Sequence, residues 1–350
     1  MNSKLRIGVI GTGKIGRLHL ESVINHISEG VVVQVADPFI SREMIEWLEE
    51  RGVSNVTKEP EELIRNPGVD AVMICSPTDK HAEQIVLSAR EGKHIFCEKP
   101  VDFDLKRIVE TLKIVKDSGV KFQIGFNRRF DHNFRRIRNV VESGKIGEPH
   151  IVKISSRDPA PPPMGYVRSS GGLFMDMMIH DFDMIRFLVG ENPVSIFAKG
   201  SVLIEPEIGK AGDVDTAVVT MDFPDGSLGI IDNSRQAVYG YDQRAEVFGS
   251  KGCCQTDNDT DTRVSVTTAE GVHSDVPPNF FLERYFWAYV DEMKGFVQAV
   301  LQDRVPSPGI EDAIIPVIMA KAALESLKSA KPVQLEEILE KKKFDFLLNK

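Results

Sequence analysis

Residues 5–16, Leu-Arg-Ile-Gly-Val-Ile-Gly-Thr-Gly-Lys-Ile-Gly, constrain this chain more than any other stretch. A short apolar run, Leu5 to Ile10, empties into Gly11-x-Gly13-x-x-Gly16, and a helical pattern follows. Gly11 permits the tight turn, Gly13 lets a ligand reach the backbone with no Cβ in the way, and Gly16 lets helix lie close on strand. The helix opens with its N–H groups aimed at the turn, which favours a phosphate there. A second strand, Val31–Ala36, ends in Asp37, 21 residues past Gly16. An acidic side chain at that point accepts hydrogen bonds from adenosine ribose hydroxyls. Strand, turn, helix and acid in this order predict dinucleotide binding, with Gly11, Thr12, Gly13, Lys14, Ile15, Gly16 and Asp37 at the contact. A carboxylate at 37 repels a 2′-phosphate, so NAD is expected over NADP. Arg42 is near enough in sequence to offer a counter-charge, and Asp37 could instead cap the following turn.

At 350 residues the chain exceeds the size at which one core keeps growing, so two domains are expected. A net charge of −9 argues against nucleic acid or an anionic membrane surface as partner. No apolar span approaches the ~18 residues a membrane helix needs, and because Met-Asn-Ser-Lys enters a core strand almost at once, no signal peptide is expected. The four cysteines, Cys75, Cys97, Cys253 and Cys254, show no CxxC spacing. Reduced thiols in a cytoplasmic protein fit that pattern.

Apolar strands alternate with helical patterns through the first third: Leu5–Ile10, Val31–Ala36, Ala71–Cys75, His94–Cys97 and Lys121–Gly125, with helices near 14–28, 41–51, 79–91 and 104–118. Buried strands separated by helices mean a parallel sheet covered on both faces, with ligands at the carboxyl ends of its strands. After Gly125 the texture changes. A charged helix near 130–143, a strand His150–Ser156 and a proline-rich loop lead to one helix from about Leu173 to Leu188. Strand-like runs follow at 194–204, 214–222, 228–235, 244–248 and 262–267, joined by turns such as Pro224-Asp225-Gly226, which predicts a largely antiparallel sheet. Two helices, near 282–303 and 310–328, close the fold, and the charged run Glu340–Lys343 reads as a solvated face. The expected architecture is an α/β dinucleotide-binding domain over 1–124, then an α+β domain over 125–350 with a mainly antiparallel open sheet. The late helices are allowed to pack back on the first domain.

Three constellations could carry chemistry. Ser76, Pro77 and Thr78 leave a strand at the ligand edge, with His81 one helical turn on. They read as cofactor contacts, or as a plain Ser-Pro turn with Asp79 capping a helix. Glu98-Lys99-Pro100 ends the next strand. A buried carboxylate beside an ammonium is costly unless the two pair or act, and proline keeps Lys99 extended, aiming it outward from the strand. The third is Gly171-Gly172-x-x-x-Asp176-x-x-x-His180-Asp181-x-Asp183. On one helix Asp176 and His180 are i and i+4, so the carboxylate can orient the imidazole as a base for a hydroxyl proton. A polar stripe with Asp183 as an ion-pair partner is the bland alternative. A zinc site is disfavoured, since nothing nearby completes a ligand set.

The glycine fingerprint, Glu98-Lys99-Pro100, Gly125-Phe126-Asn127-Arg128-Arg129-Phe130 and the Gly-Gly-x3-Asp-x3-His-Asp-x-Asp run occur here in the order that resembles the Gfo/Idh/MocA oxidoreductases. Within that family the motifs are most similar to those of inositol 2-dehydrogenases. The resemblance implies a Rossmann domain plus a predominantly antiparallel sheet whose open face joins subunits, commonly as a homotetramer, otherwise a homodimer. It implies Lys99, Asp176 and His180 as the catalytic trio, with Arg129, Ser156, Tyr239 and Tyr289 beside a polyol. It also implies NAD-dependent oxidation of a cyclic polyol or sugar hydroxyl, myo-inositol to 2-keto-myo-inositol (scyllo-inosose) being the best match. Two positions depart from the pattern. Ser156-Arg157-Asp158-Pro159 stands where those enzymes tend to carry His before Arg-Asn-Pro, and Phe281 stands where Trp is frequent. A scyllo-inositol or other sugar dehydrogenase of the same family, or a non-catalytic NAD-sensing regulator, are the alternatives.

Overall fold

The computed structural model describes residues 4–340. It divides into two compact units: one runs to Phe130 and takes back Trp287–Ile315, and the other is Asp131–Phe286 with the stretch that begins at Pro316. The charged run Glu340–Lys343 falls at and beyond the last described residue.

The first unit is a six-stranded parallel sheet in the order β3-β2-β1-β4-β5-β6. Its strands are β1 (Leu5–Ile10), β2 (Gly30–Ala36), β3 (Val56–Thr57), β4 (Ala71–Ile74), β5 (His94–Glu98) and β6 (Phe122–Gly125). Between them lie α1 (Lys14–His26), α2 (Arg42–Glu49), α3 (Pro60–Arg65), α4 (Thr78–Arg90) and α5 (Leu105–Ser118). The order reverses between β1 and β4, the switch point at which such sheets take ligands. One face of β1 turns Ile7 and Val9 into a core with Leu20, Val23, Val35, Phe96 and, from the returning segment, Met293, Phe296 and Val297. On the other face Gly8 has no room for more: a Cβ there would lie 2.5 Å from Leu63 of α3.

The second unit opens with α6 (His132–Glu142), capped by Asp131 on the Asn133 and Phe134 N–H groups. There follow β7 (Pro149–Arg157), α7 (Met164–Ser169), α8 (Gly172–Asp176), α9 (Ile179–Val189), β8 (Ser195–Ser201) and α10 (Pro206–Lys210). Next come β9 (Thr216–Asp222), β10 (Leu228–Ser234), β11 (Asp242–Gly249), β12 (Gly252–Thr256), a separate ribbon of β13 (Ser265–Thr268) and β14 (Gly271–Ser274), and α11 (Phe281–Arg284). The remaining elements are α12 (Phe286–Leu301), which falls almost wholly in the first unit, α13 (Ile310–Ser329), β15 (Val333–Gln334) and α14 (Leu335–Glu340). The seven-stranded sheet runs β12-β11-β7-β10-β9-β8-β15. It is antiparallel except where β10 lies parallel to β7. A helical crossover carries the chain from β7 to β8, and the β8-β9-β10 meander brings it back beside β7 in the same direction.

Two expected helices are divided. The stretch expected as one helix from Leu173 to Leu188 breaks after Asp176, because the Leu173 carbonyl takes N–H groups from both Met177 and Met178 and the ladder slips before α9 resumes. Asp176 and His180 therefore sit on two consecutive helices, not at i and i+4 of one. The stretch near 282–303 is likewise α11 and α12, parted at Tyr285.

Candidate active site

In the first unit the turn after β1 has the shape its glycines predict. Gly11 adopts φ +92°, and a Cβ there would lie 2.6 Å from the Cys75 carbonyl oxygen. A Cβ on Gly16 would drive into the Gly11 carbonyl, so α1 can approach the turn only with glycine at 16. At Gly13 the same test meets open space. Gly13 is the N-cap of α1, no side chain among the described residues caps it, and its first turn holds no acid, so the leading N–H groups face that opening. Asp37, at the end of β2, is pinned by three donors: Oδ2 accepts from Thr12 N–H at 2.7 Å and Thr12 Oγ1 at 2.6 Å, and Oδ1 from Phe39 N–H at 2.8 Å. A carboxylate fixed beside an open glycine turn fits the adenosine ribose and pyrophosphate of a dinucleotide.

At the neighbouring strand ends, Thr78 begins α4 with Pro77 at the N-cap, and Asp79 lies inside the first turn instead of capping it. Ser76 Oγ donates to Gln84 at 2.6 Å. His81 is buried and both ring nitrogens meet backbone oxygens, Nδ1 that of Pro100 at 2.8 Å and Nε2 that of Ser76 at 2.7 Å. Burial pushes its pKa below the ordinary imidazole value, although both carbonyl contacts act the other way. The ring lies between the two strand ends, where a neutral imidazole donates to one of the two carbonyls. Glu98 Oε1 meets Nε2 of fully buried His19 at 2.7 Å, and Glu292 brings a carboxylate oxygen within 4.8 Å of both. Burial, then Glu98 and Glu292, push the Cys75 thiol well above its usual pKa. Lys99, half-buried, follows directly, joined to Pro100 by a cis peptide.

In the second unit Gly171 and Gly172 hold φ of +87° and +84°, and a Cβ on Gly172 would lie 2.8 Å from Asp213. The glycine pair lets the Asp213 carboxylate reach the Leu173 N–H at the start of α8. At the other end of α8 both oxygens of Asp176 are held. Oδ1 accepts from the Tyr166 hydroxyl at 2.8 Å, and Oδ2 from Arg235 Nη1 and Nη2 at 3.2 and 3.3 Å. His180 is half-buried on the first turn of α9. Its neighbour Asp181, fully buried, accepts from Asn233 Nδ2 of β10 at 3.0 Å and locks α9 to the sheet. Asp183 lies 3.8 Å from Arg186.

The other expected substrate residues fall in different settings. In the first unit Arg129 donates to Asp312 at 2.7 Å, and buried Tyr289 sets its ring edge-on to His19 at 5.6 Å. In the second, half-exposed Tyr239 donates to Asp242 at 2.6 Å and accepts from Arg157 at 3.2 Å. Burial works to raise the Asp242 carboxyl, but bonds from Arg244, Tyr239 and Asn258 outweigh it and leave the pKa lowered. Ser156 is fully buried and accepts from Gln243, whose Oε1 takes the Tyr285 hydroxyl at 3.0 Å. Its hydroxyl is thus bonded to Gln243 of β11. Asp131 and Asp259 converge with His132, but Arg284 already supplies a cation there, 2.6 and 3.1 Å from the two carboxylates. Reading for acids and bases missed Tyr166 and Arg235. The available signal was Arg235 directly after a core strand, a cation that must find buried carboxylates.

Residues 5–126 match the oxidoreductase family with the NAD-binding Rossmann fold, and residues 134–255 match the Gfo/Idh/MocA C-terminal domain. The chain belongs to the Gfo/Idh/MocA oxidoreductase family. The family's myo-inositol 2-dehydrogenase from Thermotoga maritima is 47% identical over 335 residues, 96% of this chain and all of that one. The inositol 2-dehydrogenase from Rhizobium meliloti is 41% identical over 95% of this chain and 99% of its own. Among solved structures of the family, the scyllo-inositol dehydrogenase from Lactobacillus casei with bound NAD(H) and scyllo-inositol superposes with a TM-score of 0.88 at 30% identity, covering 95% of this chain and all of that one. The first unit is accordingly an NAD-binding Rossmann domain, and the chain is a dehydrogenase of this family.

Proposed function

We propose that this protein oxidises one ring hydroxyl of myo-inositol to the ketone 2-keto-myo-inositol, using NAD. The observation that carries this reading is full-length similarity to inositol 2-dehydrogenases in a chain that keeps Lys99, Asp176 and His180 in the family's motifs. NAD, when bound, supplies the hydride acceptor. Gly11, Thr12, Gly13, Lys14, Ile15, Gly16 and Asp37 would hold its adenosine and pyrophosphate, and Ser76, Pro77, Thr78 and Glu98 its nicotinamide end. His180 takes the hydroxyl proton at a ring nitrogen, and Asp176 orients it. Lys99 donates to the same oxygen and stabilises the charge that develops there. Arg129, Ser156, Tyr239 and Tyr289 are the proposed polyol contacts.

Absorbance of reduced nicotinamide across a panel of inositol isomers and hexoses, with NAD and NADP in turn, tests the reading. NADH formation fastest with myo-inositol supports it, and no NADH with any polyol overturns it in favour of a sensor. Ser156 and Phe281 depart from the inositol dehydrogenase pattern, which keeps scyllo-inositol or another sugar as the second reading. We also propose a cytoplasmic homotetramer, with a homodimer as the smaller form. In support, Phe248, Ile151 and Leu228 stand in register across β11, β7 and β10 as an exposed apolar row on the sheet's open face. Light scattering on the protein and on Ile151→Lys tests this, and an unchanged mass in the variant removes that face.

A further inference from the structure

A five-residue helix cannot by itself hold a functional side chain still, since isolated helices this short are marginal in water. α8 carries Asp176 at its last position, and the carboxylate is fixed from outside at both oxygens. The Arg235 guanidinium is 3% exposed, and its Nη1 reaches Asp176 at 3.2 Å and Asp158, just past the end of β7, at 3.4 Å. Its backbone is fixed as well, since Arg235 N–H donates to the carbonyl of fully buried Asp215 at 2.8 Å. Asp215 in turn accepts N–H groups from Leu203, Ile204 and Glu205. Tyr166 approaches from the other side, from α7.

Resting on the reading of Asp176 as the partner of His180, we propose that Arg235 is the positioning residue of the active site, clamping Asp176 between its guanidinium and the Tyr166 hydroxyl. The clamp also decides where the substrate proton goes. Arginine does not give up its proton in proteins. Burial, then Asp176 itself, push the Tyr166 hydroxyl well above the ordinary tyrosine range, so it remains a donor. With both oxygens accepting from donors of this kind, Asp176 orients, and His180 is left as the group that receives the proton. Tyr166 from α7 and Arg235 just past β10 bond Asp176 directly, Asp158 shares the same guanidinium, and Asp213 holds the opposite end of α8.

The test compares Arg235→Met, Arg235→Lys and Tyr166→Phe with wild type, alone and combined with Asp176→Asn, in full-length protein assayed with NAD and myo-inositol. Wild-type turnover checks the functional reading; the variants check the clamp. Expected are a fall in kcat of about 100-fold for Arg235→Met with the KM for NAD within about 2-fold, recovery of about 10-fold in Arg235→Lys, and a fall of about 10-fold for Tyr166→Phe. In the Asp176→Asn background the same changes should cost less than about 3-fold, because a residue that acts through Asp176 has nothing left to position. Fully additive losses overturn the proposal, as does Arg235→Met with unchanged kcat. Where Arg235→Met does not fold, Tyr166→Phe and Arg235→Lys decide by the same non-additivity.

Discussion

Asp37 separates charge from shape in cofactor choice, because Asp37→Asn keeps an acceptor oxygen for Thr12 while removing the negative charge. A 2′-phosphate carries about −1.5 to −2 at neutral pH. Against a unit charge about 4 Å away it costs ~1 kcal/mol per charge in water and ~4 kcal/mol at an effective dielectric of about 20. Asp37 is half-buried, so the lower end governs, and ~2 kcal/mol of repulsion corresponds to roughly 30-fold against NADP. The variant also loses charge-assisted bonds to the ribose, of which each contributes about 1.5–3 kcal/mol, so kcat/KM with NAD should fall at least ~10-fold. The NAD/NADP ratio of kcat/KM should therefore drop by roughly 300-fold. Initial rates with each cofactor at saturating polyol measure it. A second reading of the same cause is salt: raising ionic strength from about 0.05 to 0.5 M should narrow the wild-type preference and leave the variant's nearly unchanged. A ratio that moves less than about 3-fold in Asp37→Asn, or a wild-type preference indifferent to salt, refutes electrostatic exclusion.

Lys99→Met should lower kcat by about 10²–10³-fold while NAD affinity, followed by NADH fluorescence, stays within about 2-fold; an unaffected rate removes lysine from the mechanism. Arg284→Met should destabilise the second unit by about 3–5 kcal/mol, because it strands the buried Asp131 carboxylate now 2.6 Å from the guanidinium. Burial works against that arginine's charge, but Tyr285, Asp131 and Asp259 outweigh it and hold its pKa above the ordinary value. Urea midpoints should show most of the loss recovered in Asp131→Asn/Arg284→Met, since the double variant leaves no stranded charge. Equal midpoints for the single and double variants would show that the pair is not what stabilises this corner.

The Rossmann half was legible because its signals are local. Leu5–Ile10, the three glycines and Asp37 each state their structure within a few residues, and the structure places strands and turn as read, with Asp37 at the end of β2. Missed were β3 and α3, of two and six residues, too short to show a period. The parallel pairing of β10 with β7 joins strands nearly 80 residues apart, and no local pattern encodes it. The break between α8 and α9 escaped for a different reason. Met177 and Met178 are good helix formers, and what divides the helix is the Leu173 carbonyl, which takes the N–H groups of both. Ser156 is placed beside a polyol by its motif position alone, and β7 turns that side chain inward to bond Gln243.

The two units solve one physical problem in the same way. A side chain that does chemistry must be partly free, yet held to within a fraction of an ångström. In each unit the freedom and the restraint are divided between chain neighbours. Lys99 is half-buried, and the residue before it, Glu98, is bonded to fully buried His19 of α1. His180 is half-buried, and the residue after it, Asp181, is fully buried and bonded to Asn233 of β10. The anchor fixes the backbone of the residue proposed to act without using its functional group. On the roles proposed for Lys99 and His180, that division accounts for the acid beside each. A carboxylate accepts from a buried donor with charge assistance, which makes the restraint about twice as strong as a neutral bond would be. On this argument Glu98→Gln and Asp181→Asn, which keep the hydrogen-bonding shape, disturb catalysis less than Glu98→Ala and Asp181→Ala, which remove the anchor altogether.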